Sequence, residues 1–134
     1  MQSFDWPIRV YYEDTDAGGV VYYANYLKFF ERARTEMLRA KGYQQDELLA
    51  NKGIIFVVRS VKVDYLKPAR FNEQLKVSTE LSEIKKTRLM FTQVISRDAI
   101  EVCRAEVCVA CLEAETMRPI AIPSTLFEQL QNEY

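Results

Sequence analysis

A chain of 134 residues with 49% hydrophobic and 28% charged side chains has the apolar content of one compact domain, which argues against disorder and leaves little material for a second core. Its 18 basic and 19 acidic residues leave a net charge of −1, without the basic excess of nucleic-acid binders, so no nucleic-acid partner is expected. Residues 1–7 lack a basic start and an apolar run, and no window reaches the ~20 apolar residues of a membrane span, so a cytoplasmic protein is expected.

Residues 8–12, rich in branched and aromatic side chains, predict a strand that runs into a loop of unusual content: Glu13, Asp14 and Asp16, then Gly18-Gly19. A long helix follows. Tyr26, Phe30, Ala33 and Met37 recur at helical spacing, with Leu27 and Leu38 widening the stripe and Lys28, Glu31, Arg32, Glu36 and Arg39 filling the other side. Asn25 is the expected cap at its start and Gly42 at its end, with Arg32 and Glu36 paired one turn apart. After a polar stretch over residues 46–52 the period changes to two. Val61, Val63 and Tyr65 alternate with Lys62 and Asp64 until Pro68. Three more strands are expected over residues 75–81, 89–96 and 100–112, joined by turns at Lys85-Lys86 and Asp98-Ala99, so that neighbours are antiparallel. Pro123 is placed in the first turn of a closing helix over residues 124–131. The order strand, long helix, four strands, short helix predicts an α+β fold: one antiparallel sheet curled around one helix, in a single domain over residues 1–134. A sheet this small leaves edges that a second subunit can extend, so a homo-oligomer is expected.

Cys103, Cys108 and Cys111 lie within one predicted strand, where residues three apart point to opposite faces and cannot chelate one ion. Small buried thiols are expected, and no metal.

Chemistry concentrates in residues 12–25. The two glycines, Gly18 and Gly19, permit conformations and a close ligand approach that a side chain blocks. The amides of Tyr23 and Ala24 are unpaired donors at the helix start, where the helix contributes about half a positive charge. That is the outline of an oxyanion site, in which each donor stabilises a developing negative oxygen by about 3–4 kcal/mol. Asp16 stands just before it as a candidate nucleophile or general base. The competing reading is an Asx turn, in which Asp16 only binds its own backbone. Of the other acids, Glu13 or Asp14 is expected to be solvated or ion-paired, since three carboxylates in four positions cannot all be buried and charged. The chain contains no histidine, so an acid is the only general base of ordinary pKa near this loop.

The run YYEDTDAGGVVY over residues 11–22 and FERARTEML over residues 30–38 resemble the YbgC-type acyl-CoA thioesterases, the Tol-Pal-associated branch of the 4-hydroxybenzoyl-CoA thioesterase superfamily. Phe56-Val57-Val58-Arg59, Tyr65 through Arg70, and Met117-Arg118-Pro119 also match, so the resemblance covers almost the whole chain. It implies the hotdog fold, dimers joined edge to edge through their sheets, pairing of dimers into tetramers, and active sites at the dimer interface. It implies Asp16 as the catalytic carboxylate, Tyr12 lining the site and the Tyr23 amide polarising the thioester carbonyl. Gly18, Gly19 and Ala24 are the expected substrate-binding positions. Members of this branch commonly carry His where this chain has Tyr23; a phenol with a pKa near 10 cannot act as a base at neutral pH but can still donate its hydroxyl and amide. The implied substrate is an acyl-CoA with a short aliphatic or aromatic acyl group, and no cofactor is required. Two rivals are an acyl-carrier-protein-directed thioesterase and a non-catalytic hotdog scaffold tied to the Tol-Pal envelope system; hydration or dehydration of acyl chains relies on a His that is absent. Arg59, Lys67, Arg70, Lys85 and Lys86 are candidates for the coenzyme A phosphates by charge, although ordinary surface charge accounts for each.

Overall fold

A computed structural model describes residues 3–133, built from five strands, three α-helices and one 3-10 turn. The strands are β1 (Phe4–Arg9), β2 (Ile54–Tyr65), β3 (Gln74–Ile84), β4 (Arg88–Arg97) and β5 (Ile100–Glu113), and all neighbours pair antiparallel in the order β1-β3-β4-β5-β2. The helices are α1 (Asn25–Ala40), α2 (Gln45–Lys52) and α3 (Ser124–Glu133).

Alternation in β3 and β4 places Leu75, Val77, Thr79 and Leu81 beside Leu89, Phe91, Gln93 and Ile95 on one buried face. Across the sheet they align in rows, Leu81 with Phe91 and Val107, Val77 with Ile95 and Cys103. The apolar stripe of α1, with Phe29, Phe30, Ala33 and Met37 almost fully buried, packs on this face. Large-to-small changes at any of these positions typically cost 2–5 kcal/mol. Leu126 and Leu130 of α3 are buried in the same core, and Pro123 accepts the Phe127 amide, so it precedes the helix as its cap rather than lying in the first turn. The three cysteines are buried and unpaired, as expected. Burial pushes the Cys103 thiol up to about 12 and the Cys111 thiol up to about 11, so neither is a nucleophile at neutral pH.

Several boundaries differ from the sequence reading for identifiable reasons. The first strand is Phe4–Arg9, so Tyr12 lies in a 3-10 turn, Tyr12–Asp14, and not in a strand; Pro7 is tolerated because β1 is an edge. The polar stretch is α2, which buries only Leu48 and so carries no periodic signal; Gly53 ends it in the left-handed region at φ 64°. Asn25 is the first residue of α1 and not its cap, and its side chain donates to the Asp14 carbonyl at 2.9 Å. At the other end Gly42, φ 88°, and Tyr43 donate to the carbonyls of Arg39 and Leu38, closing the helix as expected. Glu36 pairs with Arg39, whereas Arg32 lies over the Phe29 ring.

Strand β2 is twice as long as its alternating stretch implies. A bulge between Val58 and Ser60 inserts Arg59, so Val58 opposes Val109 while Val61 opposes Val107. Both valines therefore face inward although they are three residues apart. They remain 46% and 42% exposed because α1 does not cover this edge of the sheet.

Candidate active site

The loop before α1 is held almost entirely by its own backbone. Asp16 donates its amide to the Val20 carbonyl at 2.9 Å and accepts from the Gly19 amide at 3.0 Å, while Thr15 and Val21 form an antiparallel bridge. Val21 also donates to Ala69, and Val20 bridges Arg70, so the loop is stitched to the segment after β2. Gly19 has φ 79°, which favours glycine, and open space around its missing side chain. Gly18 serves differently: a Cβ there would sit 3.2 Å from Asp16 Oδ1.

Asp16 is exposed, and its Oδ1 accepts the Gly18 amide at 2.9 Å. The Asx turn and the reactive-acid reading are thus compatible, since one oxygen orients the carboxylate while Oδ2 has no partner among the described residues. Asp14 is the acid that the structure buries. Its Oδ2 accepts the Tyr11 amide at 2.8 Å, and its carbonyl accepts the Tyr22 amide and the Asn25 side chain. Asp14 is satisfied by hydrogen bonds instead of solvent or an ion pair, so of the two acids it is Glu13, which is exposed, that meets the expectation of a solvated carboxylate.

At the helix start, neither the Tyr23 nor the Ala24 amide has an acceptor among the described residues, as the position of an unfilled helix cap requires. The Tyr23 carbonyl accepts the Tyr65 hydroxyl at 3.0 Å, and the Tyr23 ring lies 4.9 Å from that of Tyr22 and 6.1 Å from that of Tyr65. Tyr22 is a neighbour that sequence reasoning missed. Hydrogen bonding with Tyr23 and its charge hold the Tyr22 hydroxyl above the usual phenol range, with slight burial and the field of Asp16 adding to it. The Tyr22 and Tyr23 rings thus share one environment. Tyr12 stands apart: it is 79% exposed, its ring lies edge-on to Phe71 at 5.9 Å, and no contact among the described residues joins it to Asp16 or Tyr23.

Beyond the first turn, a cleft of about 530 Å³ runs along α1 between Leu27, Phe30 and Arg34 on the helix and Val58, Val61 and Val107 on the sheet. Arg59, Lys67, Arg70, Lys85 and Lys86 are all exposed, and Lys85 pairs with Glu83. Among the described residues no cluster of acids and cysteines has the geometry of a metal site, and no helix is long and apolar enough to cross a membrane.

A family model of the thioesterase-like superfamily matches residues 10–130. The chain is 45% identical over 129 residues to the acyl-CoA thioester hydrolase YbgC of Escherichia coli O6:H1, covering 96% of both chains. The chain belongs to the YbgC family. It is also 48% identical to the acyl-CoA thioesterase YbgC of Haemophilus influenzae, covering 90% of this chain and 89% of that one. A probable thioesterase of Bartonella henselae superposes with a TM-score of 0.87 at 34% identity, covering 91% of this chain and all of the other. The antiparallel sheet curled around α1 is the hotdog arrangement of such thioesterases, as the family resemblance implied.

Proposed function

We propose that this protein hydrolyses the thioester bond of acyl-CoA. The observation that carries the reading is the pairing of an oriented carboxylate having one free oxygen, Asp16, with two unpartnered amides at the start of α1, in a chain of the YbgC family. The thioester carbonyl accepts from the Tyr23 and Ala24 amides, whose partial positive charge offsets the negative oxygen formed on attack. Asp16 either attacks the carbonyl carbon itself or takes a proton from the attacking water. In both routes an oxygen bonds to that carbon, the C–S bond breaks, and the thiol of coenzyme A leaves; where Asp16 itself attacks, water then cleaves the resulting mixed anhydride, releasing the acid and restoring the carboxylate. A thiol with a pKa near 8.5 needs little help from an acid, which suits a site without histidine. Gly18 gives the carboxylate clearance, and Gly19 supplies the backbone turn. No cofactor takes part. Two protomers pair through β2, which is an edge of the sheet, and Tyr12 lines the site contributed across that interface. The protein works in the cytoplasm.

Asp16→Asn is the decisive variant, because asparagine keeps an oxygen for the Gly18 amide while losing basicity and nucleophilicity. A fall in kcat of about 100-fold or more is expected, with folding stability within about 0.5 kcal/mol of the parent. Undiminished turnover of short aliphatic and aromatic acyl-CoAs by the folded variant would refute the role given to Asp16. Parallel kinetics on acyl-carrier-protein thioesters test the choice of coenzyme A as the handle.

A further inference from the structure

The cleft along α1 is apolar on its sheet side and carries three cations, Lys28, Arg32 and Arg34, against one acid, Glu31, on its helix side. Its size and lining suit a small organic ligand. Arg34 enters it from the buried side of the helix, and only 8% of the residue is exposed. Its Nη1 donates to Gln93 Oε1 at 2.9 Å, and Gln93 Nε2 donates in turn to the Phe30 carbonyl and Thr79 Oγ1. That bond uses one of five guanidinium donors. No carboxylate among the described residues forms an ion pair with Arg34. No fully buried side-chain nitrogen or oxygen among them lacks a partner, so the remaining Arg34 nitrogens are not sealed into the core; Arg34 lines both this cleft and a smaller cavity of about 70 Å³ beside it. Burial lowers the Arg34 pKa and the field of Glu31 opposes that, yet a guanidinium stays charged at neutral pH. Lys28 and Arg32 line the same cleft against one carboxylate, Glu31, which is engaged by the Thr35 hydroxyl at 2.7 Å. Three cations facing one carboxylate leave the cleft with an excess of positive charge that an anionic ligand would offset.

We propose that Arg34 is the specificity-determining contact for the far end of the acyl group, and that the cleft accepts acyl chains ending in a carboxylate, the mono-thioesters of dicarboxylic acids. This rests on the acyl-CoA reading above. The rise from Ala24 to Arg34 is about 15 Å at 1.5 Å per residue, and helical side chains lean back toward the N-terminus, which brings the guanidinium nearer the helix start. An acyl chain held by its carbonyl at the Tyr23 amide therefore points its tail along α1 toward Arg34. Coenzyme A phosphates share the anionic chemistry, but they lie on the thiol side of the reacting bond, whereas Arg34 is almost fully buried about three turns along the helix.

The test compares kcat/KM for substrates matched in carbon number: succinyl with butyryl, adipoyl with hexanoyl and suberoyl with octanoyl coenzyme A. The parent, Arg34→Met and Arg34→Lys are each assayed. The carboxylated member is expected to lead at one length or more in the parent. The ratio of carboxylated to neutral should fall about 10- to 100-fold in Arg34→Met, with Arg34→Lys between. A parent that prefers the neutral member at every length overturns the proposal even if neither variant folds. An equal fall of both members in Arg34→Met also overturns it, as for a purely structural arginine or one that binds coenzyme A phosphate. Hydrolysis of neutral substrates without a carboxylate preference leaves the acyl-CoA reading standing and removes only this one. If no acyl-CoA is turned over, calorimetric titration with free adipate and hexanoate decides the cleft: tighter adipate supports the assignment, and equal or absent binding rejects it.

Discussion

The start and the middle of α1 handle polarity in opposite ways. At the start, Asp16, the Tyr23 and Ala24 amides and the Tyr22 ring stand at the surface, and the order comes from backbone bonds and from Asp14 beneath them. In the middle, Arg34, Gln93 and Thr79 are buried, and the order comes from side chains bonded to one another. The lesson is that a reactive group is left free only where the backbone can hold the site without it. In the core a group left free destabilises the fold, because water cannot replace the missing partner.

Four measurements press on this contrast, in addition to the Asp16 variant. Gln93→Leu should be the most damaging to stability, lowering the free energy of unfolding by about 2–3 kcal/mol in denaturant titration, since it strips the recorded partner from the Arg34 guanidinium. Stability unchanged by Gln93→Leu would mean that the buried network is not what orders the middle of the helix. Asp14→Ala, at the start, should cost about 1–2 kcal/mol by releasing the Tyr11 amide, and should depress kcat as well because the Asp16 loop loosens. Normal turnover in that variant would break the link between the buried acid and the exposed one. Tyr65→Phe removes one hydroxyl from the Tyr23 carbonyl and should reduce kcat about 3- to 10-fold with little change in KM. A rise in KM alone would point to substrate contact instead.

The smallest effect concerns pH. The Cys103 and Cys111 thiols ionise at about 12 and about 11 in the folded protein against 9.0 as the ordinary value. The folded state thus retains protons that the unfolded chain releases, so stability is full below about pH 9 and declines from there through pH 11–12. Thermal melts from pH 7 to 11 should show this decline, and Cys103→Ala should flatten it; an identical slope in the variant would assign the decline to other groups.

Much of the core could be read from periodicity. The alternation of residues 75–81 survives in β3, and the runs expected at 89–96 and 100–112 are β4 and β5; β4 alternates as well, whereas β5 also buries Val102 and Cys108 beside its inward residues. The turns at Lys85-Lys86 and Asp98-Ala99 also stand where expected; Asp98 and Ala99 both adopt positive φ, as a tight two-residue hairpin turn demands. The first half of β2 was illegible because the Arg59 bulge shifts the phase of its inward residues by one. Helix α2 was illegible because one buried leucine makes no pattern. Arg34 did leave a trace, since it stands four residues after Phe30 and between Ala33 and Met37, a charge inside the apolar stripe.

By itself, the sequence determined the fold class, the long helix with its glycine end, and the carboxylate and glycine loop beside that helix's start, because these depend on local periodicity, backbone freedom and residue chemistry along a short stretch. Only the tertiary structure decided which acid is buried, which amides remain without acceptors, and that a buried arginine lines the cleft along α1. The buried acid depends on how the loop folds back on the helix start, where Asp14 meets Tyr11, Tyr22 and Asn25, and the placing of the arginine on partners 59 and 63 residues apart, Arg34 with Gln93 and Gln93 with Phe30. Hydrogen bonding and burial are settled between segments, and no pattern within a segment records them.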